Sequence, residues 1–513
     1  MKNIISSLKN FFAHPWFMAI VVAIIVSLFA IWYGAWWSLI IALPIVYDYY
    51  VGGNIKRLHN KLYEKYRWYQ VVWAVWCAAV FALVVGVIVH MLLFRWEKPF
   101  LITFAVVMAV ALWSELKNQS KIYLWIYGWV HAIIFATVVA TLIQLYWFQM
   151  FVIPTGSMES TLLAGDYILV NKVSYGPRVP MTPLSFPFVH NTMPMNPAKA
   201  SFTTSWQRDY RRLASCGEVQ RDDVVVFNFP EGDTVVLEMP AMSYYEFLRD
   251  ARFGKTVAER RKNVADNFTV VARPLDKKEN YIKRCVGIPG DSLQIVDGAV
   301  YHNGEREAFV PKRQYIYYNE YTAKPIKIGI DNATGEYMEL PVTDDELVAY
   351  ADTTRYKLKK IGGAISGSTL IPHTTPAKGQ RWTIDDMGPI WVPKAGATIE
   401  LNAENMAMYG RCIEVYENHT VEYRGDEILV DGVPVTTYTF LQDYYFMMGD
   451  NRFNSLDMRH SYEQKTVALD KNDPYSVLYD SNMEPQCVSK KRILGTAVYR
   501  FWPWSRRGPV QVK

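Results

Sequence analysis

The sequence predicts a multi-pass α-helical membrane anchor followed by a mostly antiparallel β domain with long insertions. Two observations lead to this fold class. Residues 1–151 are mostly apolar, whereas the rest of the chain alternates short runs rich in Val, Ile, Tyr and Phe with Gly, Asp, Asn and Pro. The whole-chain values, 51% hydrophobic residues and a net charge of +5, average over these two different parts. We therefore expect an anchor at 1–151 and a β-rich domain at 152–513, outside the membrane.

The apolar runs of the first part are long enough for about five membrane spans. The first run, Trp16–Tyr47, is long for a single span, and Gly34 and Pro44 predict that it forms two short helices in a hairpin. It is also too long for the apolar part of a cleaved signal peptide, and no A-x-A site ends it. The later runs are Val71–Phe94, the shorter Phe100–Trp113, and Tyr123–Phe151.

A basic stretch between the first two runs sets the expected orientation. It contains Lys56, Arg57, Lys61, Lys65 and Arg67. The positive-inside rule places this stretch on the cytoplasmic side, and counting the spans from there places Ser157 on the outer side. A fully extended chain from Phe151 to Ser157 reaches only about 20 Å, so we expect Ser157 near the outer membrane face.

The second part of the chain shows the pattern of short β-strands separated by turns. The clearest strand segments are Asp166–Gly176, Asp222–Pro230, Asn280–Asp291 and Asp426–Phe440. Val296–Gly304 and Glu422–Gly432 are typical of β-hairpins. Three stretches interrupt the β pattern and are expected to be insertions, near 178–216, 231–275 and 310–400. Within the second of them, Tyr244–Asp266 has helical spacing.

No metal, cofactor or nucleic-acid partner is expected from the composition. The five cysteines form no CxxC pair and the nine histidines form no HExxH motif, which disfavours a zinc site. One disulfide among the cysteines outside the apolar runs is compatible with the sequence, but its partners stay open. Basic residues are interleaved with acidic ones, which is not the pattern of a nucleic-acid-binding surface.

Ser157 and Lys283 are the first candidates for chemistry. Ser157 lies in VIPTGSMEST, directly after the last apolar run, and a serine hydroxyl needs a base to remove its proton. No histidine lies in a motif that suggests this role. A lysine can act as the base if burial lowers its pKa from about 10.4, at which only about 0.04% is neutral at pH 7. Strand alternation places Lys283 on one face with Tyr281 and Cys285. From spacing alone, the favoured interpretations are the plain ones: a loop serine and an edge-strand lysine that blocks aggregation.

A third cluster of polar residues lies in MMGDNRFNSLDMRHS, Met447–Ser461. On an extended segment Ser455, Asp457 and Arg459 face the same way, so that Asp457 and Arg459 can pair. A polar turn is the plain alternative. A calcium loop is disfavoured, because Arg452 occupies a ligand position and the glycine and glutamate of an EF-hand are missing.

Together and in this order, the three clusters resemble the bacterial type I signal peptidases, which are Ser–Lys serine proteases. The strand segments GDYILVNKVSYG and RDDVVVFNFP and the closing ILGTAVYRFWPW, Ile493–Trp504, resemble the same family. The resemblance implies a signal-peptidase-like β fold and a membrane-bound serine endopeptidase. Such an enzyme cleaves amino-terminal signal peptides from exported preproteins through an acyl-enzyme, without a cofactor. The implied location is the bacterial inner membrane, with the catalytic domain on the periplasmic side.

The resemblance also implies a role for each matching residue. Ser157 corresponds to the nucleophile and Lys283 to the general base. The Ser157 amide and the Thr155 hydroxyl correspond to the oxyanion hole. Ser455 corresponds to the residue that orients the lysine amine, and Asp457 and Arg459 to a structural pair. The implied partners are secretory preproteins with small residues at −1 and −3, the lipid bilayer, and the secretion machinery.

The chain departs from the family pattern at a few positions that are not catalytic. Ser160 stands where the family usually has proline, Phe453 where it has a polar residue, and Met458 where it has serine. Two other functions stay open on the sequence. One is a non-catalytic membrane scaffold that binds partners through its insertions, and the other is a self-cleaving Ser–Lys protein.

Overall fold

The computed structural model divides into two compact units, Met1–Leu142 with Met193–Lys199, and Ile143–Thr192 with Ala200–Lys513. The residues it describes are 14–93, 106–109, 111, 121–159, 161–193, 196–228, 234–239, 244, 247, 250–255, 257–307, 314–315, 317–319, 321–322, 324–330, 337–339, 342–343, 346, 358–360, 386–425, 427–452, 455, 457–459 and 487–510. The predicted boundary between anchor and β domain at 151/152 stays a prediction.

The helices are, in chain order, α1 Pro15–Tyr33, α2 Leu39–Tyr47, α3 Asn54–Lys65, α4 Arg67–Leu93, α5 Lys121–Tyr146, α6 Val257–Asn267 and α7 Ala403–Arg411. Helix α1 ends at Gly34, whose left-handed conformation (φ 75°) lets its amide cap the last turn. Trp16 at the start of α1 packs against Tyr47 at the end of α2, with ring centroids 5.7 Å apart. The predicted hairpin of two short helices is therefore confirmed.

Some of these helices are long and apolar enough to cross a membrane. Among the described residues they are Pro15–Tyr33 and Gly128–Tyr146, and Trp36–Gly52 with Asn54–Lys65 adds a third if this pair, bent by 75°, forms one span. Helix α4 covers most of the predicted Val71–Phe94 run. The predicted span Phe100–Trp113 lies largely outside the described residues, so a total of about five spans stays a prediction.

The strands are, in chain order, β1 Phe148–Val152, β2 Tyr167–Asn171, β3 Thr192–Met193, β4 Asn196–Ala200, β5 Val224–Asn228, β6 Thr234–Val236, β7 Val270–Ala272, β8 Asn280–Gly287, β9 Ser292–Val296, β10 Ala299–His302, β11 Glu305–Arg306, β12 Gln314–Tyr315, β13 Tyr317–Asn319, β14 Lys324–Pro325, β15 Ile328–Ile330, β16 Tyr337–Glu339, β17 Val342–Thr343, β18 Leu358–Lys360, β19 Met387–Trp391, β20 Thr398–Glu400, β21 Val421–Arg424, β22 Glu427–Val430, β23 Val433–Pro434, β24 Thr437–Thr439, β25 Tyr444–Met448, β26 Val488–Ser489, β27 Ile493–Trp502 and β28 Gly508–Pro509.

The largest sheet has eight strands in the order β1-β2-β27-β5-β8-β25-β26, with β28 attached to β27. Its strands pair antiparallel throughout. A second sheet has the order β11-β10-β9-β19, and the remaining described strands form sheets of two or three. The prediction of a mostly antiparallel β domain is therefore confirmed.

The core of the β domain explains why the central strands read as continuous apolar runs. Strand β5, VVVFN, is buried at every position because it lies between β27 and β8 and is covered on both faces. Phe227, Val286 and Phe446 belong to one buried cluster that continues into the second sheet through Ile295. This packing fixes β8, which carries Lys283, in the middle of the large sheet.

Local sequence signals explain several of the connections. The Val296–Gly304 hairpin is confirmed as β9–β10, with Asp297 (φ 47°) and Gly298 (φ 71°) in the left-handed conformations that a tight hairpin turn needs. The Glu422–Gly432 hairpin is confirmed as β21–β22. Helix α6 confirms the helical spacing predicted for the end of Tyr244–Asp266. Much of the predicted insertion 310–400 lies outside the described residues.

Candidate active site

Ser157 lies in a short 3₁₀ turn, Gly156–Met158, that connects β1 to β2. The turn closes with a hydrogen bond from the Glu159 amide to the Gly156 carbonyl at 3.0 Å. Met158 and Leu162 are fully buried in the same hydrophobic cluster as residues of β2, and this packing fixes the turn. Ser157 is consequently fixed at a position where only 9% of its surface is exposed.

Lys283 reaches Ser157 from the adjacent part of the large sheet. Strand β8 places Lys283 opposite Val225 of β5, and its side chain is only 4% exposed. The Lys283 Nζ donates a hydrogen bond to the Ser157 Oγ at 2.6 Å. The ring of Tyr281, two residues earlier, has its centroid 6.0 Å from the Nζ, as expected for residues on the same strand face.

Burial is the main influence on the Lys283 amine. It lowers the pKa of Lys283 from 10.5 to about 8, while the carboxylates of Asp457 and Asp450 act in the opposite direction and Arg459 adds to the lowering. A pKa near 8 leaves about 10% of the amine neutral at pH 7, against about 0.03% for an unshifted lysine. The arrangement therefore has the two properties a lysine base needs: contact with the hydroxyl, and a substantial neutral fraction near pH 7.

Residues of the third sequence cluster, Met447–Ser461, form hydrogen bonds with one another beside the Ser157–Lys283 pair. Asp457 binds Arg459 through its Oδ1 at 2.9 Å, and both side chains are almost fully buried. The second Asp457 oxygen accepts a hydrogen bond from the Gly449 amide at 3.0 Å, and Arg459 donates to the Arg452 carbonyl at 2.7 Å. The predicted pairing of Asp457 with Arg459 is thus present, and it fixes the backbone on both sides of Ser455.

Gly449 permits the close contact between this cluster and the nucleophile turn. A Cβ at position 449 would lie 2.1 Å from the Ser455 Oγ and 2.6 Å from the Ser157 carbonyl oxygen. Ser455 therefore lies beside Ser157. Within the described part of the chain its buried hydroxyl has no hydrogen-bond partner, so the structure shows no bond from Ser455 to the Lys283 amine.

Arg284 and Asp450 form a second buried pair, which the sequence did not reveal as a pair. Two hydrogen bonds of 2.8 Å join the Arg284 guanidinium to the Asp450 carboxylate. The Thr161 hydroxyl donates to the same carboxylate at 2.5 Å, and the Asn451 amide donates to the Ser157 carbonyl at 3.2 Å. The Arg284–Asp450 pair thereby ties the segment after Lys283 to the segment after Ser157. Strand alternation had indicated only that Arg284 points away from Lys283.

Thr155 precedes the nucleophile turn in an extended conformation (φ −133°, ψ 161°) and is exposed. Its side chain does not cap the turn. An exposed hydroxyl two residues before the serine is compatible with a donor to a bound substrate. The role of Thr155 in an oxyanion hole stays a prediction.

The described residues contain no group of three or more His, Cys, Asp or Glu that could hold a metal ion. All five cysteines are free thiols, and Cys216 is exposed.

Residues 126–355 match the family model described as "Signal peptidase, peptidase S26", a range that includes Ser157 and Lys283. Among curated proteins, the chain is 28% identical to Signal peptidase I of Pseudomonas fluorescens over 159 residues, which is 31% of each chain. It is 29% identical to that of Haemophilus influenzae over 153 residues, 30% of this chain and 31% of the relative. It is 25% identical to that of Rickettsia prowazekii over 166 residues, 32% of this chain and 39% of the relative.

Part of the chain is thus similar to Signal peptidase I of several bacteria, which confirms the resemblance read from the sequence motifs. The aligned segment spans only about a third of the length of these relatives.

Proposed function

We propose that the protein is a membrane-bound serine endopeptidase that removes amino-terminal signal peptides from exported preproteins. The observation that carries this proposal is the 2.6 Å hydrogen bond between the buried Lys283 amine and the Ser157 hydroxyl. It is supported by the family match and by the Signal peptidase I relatives. No cofactor is needed for this chemistry.

In the proposed mechanism, neutral Lys283 accepts the proton of the Ser157 hydroxyl as its oxygen attacks the carbonyl carbon at the cleavage site. The tetrahedral intermediate collapses when the lysine ammonium gives this proton to the leaving amine, and an ester on Ser157 remains. The same amine then takes a proton from water, which attacks the ester, and the lysine ammonium returns this proton to the Ser157 oxygen as the signal peptide leaves. One base serves both half-reactions because it stays within hydrogen-bond reach of the serine oxygen.

The other site residues have supporting roles in this proposal. The Ser157 amide and the Thr155 hydroxyl would donate to the developing oxyanion. Ser455 would orient the amine after a small rotation toward it. Asp457 and Arg459 hold the loop that carries Ser455, and Gly449 leaves room for that loop against the nucleophile turn.

The anchor places the enzyme where its substrate is. We propose a multi-pass bacterial inner-membrane protein with the peptidase domain on the periplasmic side, since the basic stretch between the first two apolar runs favours the cytoplasm. Preproteins held in the same membrane by their signal peptides would present their cleavage sites at the same depth, which supplies part of the positioning for catalysis. Small residues at −1 and −3 and contact with the secretion machinery belong to the proposal.

The test uses the purified full-length chain in detergent or lipid and a preprotein with an Ala-x-Ala site. Mass spectrometry of the product locates the cut, which we expect directly after the second alanine. Ser157→Ala should abolish it, whereas Ser205→Ala, at an exposed serine of another loop, should not. A wild-type protein that binds but never cuts would favour the non-catalytic scaffold. A protein that cuts only its own chain would favour the self-cleaving alternative.

A further inference from the structure

Helix α3, Asn54–Lys65, turns sharply away from the helical stretch that precedes it. The axes of Trp36–Gly52 and α3 meet at 75°, and the break lies at Gly53, which has a left-handed conformation (φ 64°). The twelve residues of α3 reach about 18 Å, which is short of the roughly 30 Å of a bilayer core. If Trp36–Gly52 crosses the bilayer, α3 therefore runs close to the membrane plane and does not continue the span.

Hydrogen bonds hold this bend on both sides of Gly53. The Asp48 carboxylate accepts from the first two backbone amides of α3, at 2.8 Å and 2.6 Å, and so satisfies donors that a helix start leaves unpaired. The Arg57 guanidinium donates to the carbonyls of Gly52 and Gly53. The direction of α3 is consequently a fixed feature of the fold.

Contacts with α4 set the rotation of α3 about its own axis. The His59 ring packs against the Trp73 ring, with centroids 4.6 Å apart, and its Nδ1 shares a hydrogen bond with the Tyr69 hydroxyl at 2.9 Å. The Gln70 side chain donates to the Tyr63 carbonyl at 2.6 Å. His59 and Tyr63 are four residues apart and lie on one side of the helix. That side of α3 is turned toward α4.

A second apolar strip of α3 is left exposed. Ile55 and Leu58 are each 56% exposed. At 3.6 residues per turn, they lie on the flank of the apolar face that is away from Tyr63. Lys61 and Lys65 are exposed and border the strip, because they follow Leu58 by three and seven residues. An apolar strip bordered by lysines is the pattern of a helix that lies in a membrane interface.

The charge of α3 indicates which lipids it meets. The helix carries four basic residues and a single acid, Glu64, which lies on the side opposite Ile55. Arg57 is engaged at the bend, whereas Lys56 and the two lysines beside the strip are exposed. A surface with this excess of positive charge attracts anionic headgroups.

We propose that α3 lies in the cytoplasmic membrane interface and binds the headgroups of anionic lipids such as phosphatidylglycerol. Ile55 and Leu58 enter the acyl boundary, and Lys61 and Lys65 extend from its border to the lipid phosphates. Each lysine near the surface strengthens this association about fivefold. The inference rests on the membrane anchoring proposed above and extends it by a surface and a lipid class. It does not rest on peptidase activity.

Continuity with the apolar helices favours a lipid surface over an acidic protein. Helix α3 begins directly after the bend that ends Trp36–Gly52, and α4 begins two residues after α3 ends. Tyr66 and Trp68 at the second junction are exposed, and the Lys65 Nζ lies 5.2 Å from the centroid of the Tyr66 ring. Aromatic and basic residues together are typical of the headgroup level. Both ends of α3 are thus attached to segments expected in the bilayer, which keeps its exposed strip at the membrane surface.

The test places a fluorescent reporter on either side of α3 in the full-length protein. Cys216 is exposed and the other four cysteines are buried, so Cys216→Ser provides a background for thiol labelling. The fluorophore NBD is attached to Leu58→Cys on the strip or to Asn60→Cys on the opposite, exposed side. Each protein is placed in nanodiscs of phosphatidylcholine, with or without phosphatidylglycerol. Quenching by lipids with a doxyl group on the acyl chain reports contact with the membrane, and quenching by iodide reports contact with water.

In discs with phosphatidylglycerol, we expect doxyl quenching of the label at position 58 and iodide quenching of the label at position 60. Lys61→Gln combined with Lys65→Gln should lower the ratio of inserted to water-exposed label at position 58 about 30-fold. Discs of phosphatidylcholine alone should likewise lower this ratio for the wild type. The matched control, Lys262→Gln combined with Lys394→Gln, removes two exposed lysines outside α3 and should leave the ratio unchanged.

Two results would overturn the proposal. One is iodide quenching of equal strength at both labelled positions in both kinds of disc, which would leave the strip to a protein partner. The other is insertion at position 58 that neither the lipid composition nor the lysine changes affect, because the headgroup charge then plays no part. Should Leu58→Cys lower the Tm, Ile55→Cys reports on the same strip.

Preprotein cleavage in the same discs separates this inference from the proposed function. An active peptidase whose label at position 58 stays in water would refute the inference about α3 alone. An inserted label in a protein that does not cleave would refute the proposed function alone.

Discussion

The pH dependence of cleavage is the sharpest consequence of the buried Lys283. Only the neutral amine can take the Ser157 proton, and burial lowers the pKa of Lys283 to about 8. The fraction of neutral amine is about 1% at pH 6 and about 50% at pH 8. We therefore expect kcat/KM to rise about 50-fold between pH 6 and pH 8 and to level off above pH 9.

The assay is steady-state cleavage of an Ala-x-Ala preprotein from pH 5.5 to pH 10, with tryptophan fluorescence confirming that the protein stays folded. Two other general bases would give different pH profiles of kcat/KM. A histidine base with a pKa near 6.5 gives only about a fourfold rise between pH 6 and pH 8. An unshifted lysine gives a rise that continues to about pH 10. Lys277→Ala, which removes another buried lysine, should leave the curve unchanged. A profile of the histidine type in the wild type would refute the role of Lys283.

Three further predictions concern single substitutions. Lys283→Met should abolish cleavage yet stabilise the fold by at most about 3 kcal/mol at pH 7. In the wild type the lowered pKa of Lys283 costs stability below pH 8, and this cost disappears as the pH rises toward 10. Denaturation at pH 7 and pH 10 measures the free energy of unfolding, and a variant less stable than the wild type would contradict the prediction. Gly449→Ala should lose about 1–3 kcal/mol of stability and at least about tenfold in kcat, because the new Cβ would overlap Ser455 and the Ser157 carbonyl. A Gly449→Ala variant with the kcat of the wild type would show that this close contact is unimportant. Thr155→Val should lower kcat about 10²-fold at nearly constant KM, whereas Thr155→Ser should keep the kcat of the wild type. Equal kcat values for the two variants would show that the Thr155 hydroxyl does not act in the oxyanion hole.

The sequence predicted the local features of the site well. Strand alternation placed Lys283 and Arg284 on opposite sides of β8, and the structure shows their side chains bound to Ser157 and Asp450, respectively. The alternation of Asp457 and Arg459 predicted their pairing, which depends on residues only two apart. Such features follow from backbone geometry that neighbouring residues determine.

The long-range contacts were not predictable from one sequence. Arg284 and Asp450 are 166 residues apart, and nothing in the spacing of either motif marks the other as its partner. The need for glycine at Gly449 likewise comes from the Ser157 turn, which packs against it only in the folded chain. These features arise from tertiary packing.

The rates of a double-variant series test the central claim most directly: that Ser157 and Lys283 act as one catalytic unit. Single-turnover cleavage of the same preprotein is measured for the wild type, Ser157→Ala, Lys283→Ala and the variant with both changes. Residues that act together are strongly non-additive, so each single change should lose as much rate as the double change, by orders of magnitude. Near-normal cleavage by Lys283→Ala, or losses that multiply in the double variant, would contradict the account and require a different base.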